Sequence, residues 1–196
     1  MKIVVCNSKG GIGKTRISLN FYYTLKDYNI VTNDMDSPIH RILPKEDFLI
    51  LDYTQDIPDL PKNANVIFDM GGFRDGRAIK IFKTADWIVV PTVFDDSDID
   101  VTLRFIKSHE KYNRNIVVIA NRTNRGEFEA IREAIGYYFD YPVFNLKKSR
   151  SIANIFSQKK SIEDMARDSI LHKRPFKVVA DQFTEIINYI TKGHHE

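Results

Sequence analysis

The chain has 196 residues, 43% of them hydrophobic and 28% charged, which is ordinary for one soluble globular domain. Its formal net charge of +3 is only mildly basic, so any affinity for nucleic acid has to come from clustered cations. The single cysteine, Cys6, excludes an internal disulfide and argues against an iron–sulfur cluster. The sequence contains neither a signal-peptide pattern nor an apolar run of roughly 20 residues that could span a bilayer. We therefore expect one cytoplasmic domain over residues 1–196, with 191–196 as a disordered tail.

Short apolar runs alternate with helical patterns along the chain, which favours parallel β-α-β units. The runs are apolar throughout, as strands are when helices cover both faces of a sheet. We predict an α/β fold with a mostly parallel central sheet flanked by helices. The predicted strands are 3–6, 30–32, 48–51 within the candidate segment 47–53, 66–68, 87–91 and 115–120. The predicted helices are 16–25, 96–109 and 176–190.

A glycine-rich loop, Ser8–Thr15, lies between the first predicted strand and the first predicted helix. This strand, loop and helix are the context in which a loop binds phosphate, because its N–H groups and the helix N-terminus converge on an anion. Lys14 is expected to bind the β- and γ-phosphates, and the Thr15 hydroxyl to ligate Mg²⁺. The nucleotide is expected to contact Lys9, Gly10, Gly11, Ile12, Gly13, Lys14 and Thr15.

The extra lysine in this loop, Lys9, resembles the deviant Walker A motif of the ParA/MinD class of P-loop ATPases. The resemblance implies the three-layer P-loop NTPase fold, with ATP and Mg²⁺ as cofactors. It also implies that Lys9 crosses a dimer interface to the phosphates of the partner subunit. Because the chain is short, it looks like the small plasmid-partition ParA type, which is ParF-like.

Two acidic segments follow predicted strands. Asp69 ends the strand 66–68 and precedes Gly71-Gly72, the arrangement of a Walker B acid that holds Mg²⁺. Asp34-Met35-Asp36 resembles the D-x-D segment of the same class, which implies that Asp36 lies near Mg²⁺ and the attacking water. Ser37-Pro38 departs from the Pro-Gln pair expected there. The expected catalytic residues are Lys9, Lys14 and Asp36, and the expected metal site comprises Thr15, Asp36 and Asp69.

Three further positions are assigned to the nucleotide. The resemblance implies that Asn121, with Arg122 after it, contacts the adenine edge, and that the segment 143–146, including Phe144, forms the other wall of the base pocket. Arg16 replaces a threonine whose hydroxyl contacts the α-phosphate in the family. An arginine at this position either makes a bidentate phosphate contact or points to solvent.

The last third of the chain is rich in cations, the electrostatic signature of non-specific DNA binding. A solvated surface is the alternative interpretation, while the resemblance to partition ATPases favours DNA. The expected DNA-binding residues are Lys147, Lys148, Arg150, Lys159 and Lys160.

The resemblance to partition ATPases implies an ATP-dependent DNA segregation protein. An ATP-bridged homodimer would bind DNA non-specifically and associate with the nucleoid. Hydrolysis, stimulated by a small centromere-binding partner of the ParB or ParG kind, would release it. A hydrolysis-impaired nucleotide switch, a MinD-like ATPase and a metallocofactor-maturation ATPase are the alternatives. Residues 191–196 are polar and poorly suited to membrane insertion, and the tyrosines lie inside the sequence. We therefore expect neither the basic amphipathic anchor of MinD nor the tyrosine-rich tail of bacterial tyrosine kinases.

Overall fold

The fold is built on one sheet of seven parallel strands in the order β3-β2-β4-β1-β5-β6-β7. A computed structural model describes residues 1–52, 54–71, 76–168 and 173–192. The strands are β1 (Lys2–Val5), β2 (Asn29–Thr32), β3 (Phe48–Ile50), β4 (Val66–Asp69), β5 (Trp87–Thr92), β6 (Ile116–Thr123) and β7 (Val143–Lys147).

The register of the central strands gathers three loops at one edge of the sheet. Val5, the last residue of β1, pairs with Asp69 of β4 on one side and with Val89 of β5 on the other. The chain leaves β1 towards β2 and later passes back across β1 from β4 to β5. Parallel sheets bind ligands at such a switch point, outside the carboxyl ends of the strands. The fold therefore brings the glycine-rich loop and the Asp69 carboxylate together.

Helices cover both faces of the sheet, which is why the central strands β1 and β4 are buried along their whole length. Ile3 and Val5 belong to one core, with α1, α5, α6 and α7, whereas Val4 and Cys6 belong to the other, with α2, α3 and α4. This alternation is the two-residue period of a strand buried on both sides. The helices are α1 (Lys14–Thr24), α2 (Ala78–Thr84), α3 (Asp96–His109), α4 (Glu127–Gly136), α5 (Arg150–Gln158), α6 (Ile162–Asp168) and α7 (Lys173–Lys192).

The predicted α/β fold is confirmed, and the sheet is parallel throughout the residues described. Helix α1 begins at Lys14, two residues before the predicted start, because the glycine-rich loop leads directly into it. Helices α2, α4, α5 and α6 and the edge strand β7 were not predicted as such. Tyr53, part of the predicted third-strand segment, lies outside the described residues.

The expected disordered tail needs a correction at its start. Thr191 and Lys192 continue helix α7, and the Thr191 hydroxyl donates to the Ile187 carbonyl at 2.8 Å. Residues 193–196 lie outside the described part of the chain. Among the described helices, each is too short or too polar to cross a bilayer.

Candidate nucleotide-binding site

The glycine-rich loop turns into α1 through two residues in the left-handed region, Gly11 with φ 74° and Gly13 with φ 97°. Gly13 is the N-cap of α1, and no side chain caps the helix there. The first-turn N–H groups of a helix have no acceptor within it and concentrate positive potential at that end. The loop therefore presents a surface suited to an anion.

Asp69 faces this loop from the end of β4 and is 2% exposed. The Ser18 hydroxyl of α1 donates to Asp69 Oδ1 at 3.0 Å, and the Thr15 side chain also hydrogen-bonds to this carboxylate. Burial raises the pKa of Asp69 to about 6, against the opposing effect of the Thr15 and Ser18 hydrogen bonds and of Lys14. A buried carboxylate beside a hydroxyl is a donor set that suits Mg²⁺. Ser18 was not predicted, although its spacing from Thr15 places both on one helical face.

The two lysines of the loop have different partners. Lys14 Nζ donates to the Lys9 carbonyl at 2.7 Å, and burial lowers the pKa of Lys14. Lys9 Nζ lies 2.5 Å from Oδ1 of Asp98 near the start of α3, and this hydrogen bond raises the pKa of Lys9. The Lys9 side chain is 40% exposed and that of Asp98 only 10%. The signature lysine is thus held within its own subunit, by a carboxylate that the sequence analysis did not identify.

Asn7 joins the loop to the end of β5 and to α3. Its Nδ2 donates to the Pro91 carbonyl and to Thr102 Oγ1, both at 2.9 Å, and its Oδ1 accepts from the Lys9 N–H at 3.2 Å. Asn7 is 1% exposed. Because the Asn7 side chain bonds to both the Lys9 backbone and Thr102, it connects Lys9 to α3. The same helix carries Asp98, which binds the Lys9 ammonium group.

The D-x-D segment brings Asp34 to the cleft. Asp34 lines the cleft with Lys14, Thr15 and Asp69, whereas Asp36 is exposed and its N–H donates to Asp34 Oδ1 at 3.1 Å. The Asx-type bond turns the chain outward after Asp34. In this structure Asp36 therefore lies outside the cleft assigned to it by resemblance, and Asp34 lines it.

Asn121 lies directly beneath the loop. Its Nδ2 donates to the Ile12 carbonyl at 2.7 Å, its Oδ1 is buried without a hydrogen-bond partner, and the residue is 1% exposed. Phe144, in contrast, packs against Tyr189 of α7 with ring centroids 5.2 Å apart and does not line the cleft. The reason is that β7 is the edge strand that α7 covers, so the assignment of Phe144 to the base pocket is not supported.

The two arginines assigned to the nucleotide lie near one another. Arg16 lines the cleft and its guanidinium lies over the Phe156 ring, 4.7 Å from the centroid. Arg122 has a guanidinium nitrogen 3.5 Å from where a Cβ on Gly13 would lie. The fold therefore brings residues 16 and 122 to the same end of α1.

The five expected DNA-binding residues form two groups at opposite ends of α5. Lys147, Lys148 and Arg150 line one groove together with Phe176 and Val178 of α7. Lys159 and Lys160 follow the last turn of α5, and Lys160 pairs with Asp168 at 2.7 Å. The first group therefore brings three cations together on one surface.

No protein-family model matches the chain, and no curated protein matches its sequence. Solved structures of similar fold do exist. One is the septum site-determining protein MinD from Pyrococcus horikoshii OT3 in complex with Mg-ADP, at 15% identity over 96% of this chain and 98% of that chain, with a TM-score of 0.63.

Two further structures have the same fold. A variant of McdA from Cyanothece in complex with ATP has 14% identity over 93% of this chain and 96% of that chain, with a TM-score of 0.59. A ParA family ATPase from Chlorobium tepidum TLS has 14% identity over 89% and 96%, with a TM-score of 0.58. The chain thus has the three-layer fold of MinD- and ParA-type proteins.

The turn at Gly13 generates a test with a matched control. A Cβ at Gly13 would lie 2.5 Å from Asn121 Nδ2, on a backbone with φ 97°, whereas a Cβ at Gly10 meets nothing within 4 Å. We expect Gly13→Ala to lower the free energy of unfolding by about 2 kcal/mol, because strain and a steric clash coincide. Gly10→Ala should change it by less than about 0.5 kcal/mol. Urea denaturation followed by circular dichroism measures both, and equal effects would contradict the assigned turn geometry.

Proposed function

We propose that this chain is a P-loop ATPase of the MinD and ParA type that uses ATP and Mg²⁺ to drive DNA segregation. The observation that carries the proposal is the convergence of Lys14, Thr15 and buried Asp69 on a left-handed glycine turn at the N-terminus of α1. This set fits a magnesium nucleotide: the turn and Lys14 suit phosphate oxygens, and Thr15 and Asp69 suit the cation.

In the proposed reaction, Lys14 leaves the Lys9 carbonyl and binds phosphate oxygens. Thr15 and Asp69 would hold Mg²⁺, and the bound cation would neutralise charge on the phosphates. Asp34, the acid of the D-x-D segment in the cleft, orients the attacking water by accepting a hydrogen bond from it. An ATP hydrolysis assay tests this reaction. The rate should depend on Mg²⁺, and it should fall to background in Lys14→Ala.

Dimerisation is proposed to involve Lys9. The ammonium group is bonded to Asp98 and also lies 3.4 Å from Ser97 Oγ, both on α3 of its own chain. Reaching the phosphates of a partner subunit requires this ion pair to open. Because the Asp98 carboxylate is largely buried, opening the pair carries a cost that the contacts of Lys9 with the partner subunit's phosphates have to offset.

We expect Lys9→Gln to retain nucleotide binding by the monomer and to lose ATP-dependent dimerisation, because the lysine is needed only across the interface. Calorimetry measures the first property and light scattering the second. Lys26→Gln, which neutralises an exposed lysine outside the cleft, is the control and should dimerise normally. A Lys9→Gln protein that dimerises with ATP as the unmodified chain does would rule out the cross-interface role.

The two acids of the D-x-D segment offer a second matched comparison. Since Asp34 lines the cleft and Asp36 is exposed, Asp34→Asn should lower kcat about a hundredfold or more, the size of a lost general base. Asp36→Asn should change kcat less than about twofold. The opposite order would restore Asp36 as the catalytic acid, and background turnover in the unmodified chain would favour a hydrolysis-impaired nucleotide switch.

The DNA-binding surface is proposed to be the groove formed by Lys147, Lys148 and Arg150. Three neighbouring cations can contact successive phosphates and release counterions, without any contact to bases. A centromere-binding partner of the ParB or ParG kind would stimulate hydrolysis and release the DNA. Nucleoid association follows from this binding.

Charge reversal tests the groove. Changing Lys147, Lys148 and Arg150 to Glu should weaken binding to all DNA sequences alike and reduce the salt slope of log K, because phosphate contacts are lost. Reversal of three exposed lysines elsewhere, Lys26, Lys45 and Lys62, changes the net charge equally and is the control. Fluorescence anisotropy over a salt series distinguishes the two. Equal losses in both triple variants would mean that net charge alone attracts DNA.

A further inference from the structure

Arg16 and Arg122 form a pair of guanidinium groups that the reaction described above does not use. Both lie at the N-terminal end of α1, and the proximity of Arg122 contributes to a lowered pKa of Arg16, after the larger effect of burial. Across the described residues, neither arginine is bonded to a carboxylate. Two unpaired like charges held together near a helix N-terminus leave a strong local excess of positive potential.

Arg122 is directed to this position by an irregularity in β6. Its φ of 58° is left-handed, an uncommon conformation for an arginine. The pairing of β6 with β7 shifts register between Asn121 and Thr123, so that Arg122 is the extra residue of a bulge. Bulges of this kind redirect a side chain and are frequent beside functional sites. The bulge brings the guanidinium within reach of Gly13 rather than in line with the strand.

Arg16 is held by a different contact. Its guanidinium lies over the Phe156 ring of α5, 4.7 Å from the centroid, a cation–π geometry that limits its freedom. Its Nε is buried and has no hydrogen-bond partner. A buried donor without an acceptor is unfavourable unless a ligand supplies one. The orphaned Nε of Arg16 and the unpartnered Oδ1 of Asn121, which lies against Gly13, thus indicate that a ligand completes this site.

The order of the cations along the cleft identifies the anion. Lys14, Thr15 and Asp69 form the end suited to the terminal phosphates and the metal. Arg16 follows Thr15 at this end. Arg122 follows Asn121, which the resemblance assigns to the base and which lies against Ile12 and Gly13. The anionic group of a nucleotide between these two regions is its α-phosphate. A guanidinium fork can bind two oxygens of one phosphate, which a hydroxyl cannot do.

We propose that Arg16 and Arg122 together bind the α-phosphate of the nucleotide, so that a nucleoside monophosphate is a ligand of this site in its own right. The inference rests on the proposed nucleotide-binding function. It adds to that function the residues that bind the α-phosphate. It applies to this chain because Arg16 is charged, where the family it resembles has a neutral threonine.

The test is displacement of a fluorescent N-methylanthraniloyl-ADP probe by ATP, ADP and AMP. AMP should displace the probe from the unmodified chain. Arg16→Thr should lower the affinities for AMP, ADP and ATP by the same factor. We expect this factor to be about tenfold or more, the effect of losing a hydrogen bond to a charged group. Arg122→Asn, which suits a left-handed backbone, should have the same signature. Lys14→Ala should weaken ADP and ATP but spare AMP.

Arg132→Thr is the matched control, since Arg132 lies over the Phe128 ring at 5.4 Å on α4 and does not line the cleft. It should leave all three affinities unchanged. Circular dichroism establishes that each variant is folded, and Arg16→Gln provides a second substitution that keeps a longer polar side chain.

Three outcomes would overturn the inference. AMP that fails to displace the probe, or a loss confined to ADP and ATP in Arg16→Thr, would move the arginines away from the α-phosphate. Unchanged affinities in both arginine variants would show that the two arginines contribute to packing and not to nucleotide binding. Failure of the proposed function looks different: the probe would not bind the unmodified chain at all.

Discussion

The site depends on the hydrogen bond from the Asn121 amide to the Ile12 carbonyl, which fastens the glycine-rich loop to the end of β6. Because the amide lies against Gly13, the turn there has no room for a side chain, and its left-handed φ independently favours glycine. This tight turn starts α1 at Lys14. It thereby sets the positions of Lys14, Thr15 and Arg16 relative to Asp69. A displacement of this contact would also shift every group that is proposed to hold the nucleotide.

A second set of polar contacts couples the loop to α3. Asn7 connects the Lys9 backbone to Thr102, and Asp98 binds the Lys9 ammonium. The buried members of this network are fully engaged, and such networks favour one arrangement over its alternatives. The ion pair at its end joins a half-exposed lysine to a largely buried carboxylate, so the lysine is the member that can change partner. The arrangement therefore suits a switch in which the loop stays in place while one lysine changes partner, as ligand-driven shifts between two states require.

The charges in and beside the cleft are unevenly balanced. Lys14 is balanced by buried Asp69, but Arg16 and Arg122 have no carboxylate partner among the described residues. Unbalanced positive charge is costly in the empty state and favourable once an anion binds. Stability and affinity are thus opposed at this point, which is common where a site is organised for its ligand.

The sequence by itself determined the class of fold, the strand–loop–helix around Lys14, and the position of Asp69 at a strand end. These features are local: a run of apolar residues, a glycine spacing and a helical period are all encoded within about 20 neighbouring positions. The sequence also showed that Arg16 departs from the motif of the family it resembles. It did not decide whether this side chain contacts phosphate or points to solvent. Only the tertiary structure brought Asp98 to Lys9, turned Asp34 rather than Asp36 into the cleft, covered Phe144 with α7 and directed Arg122 towards Gly13. Each of these contacts joins residues through sheet register, a bulge or helix packing, and such long-range geometry has no signature in the local pattern of one sequence.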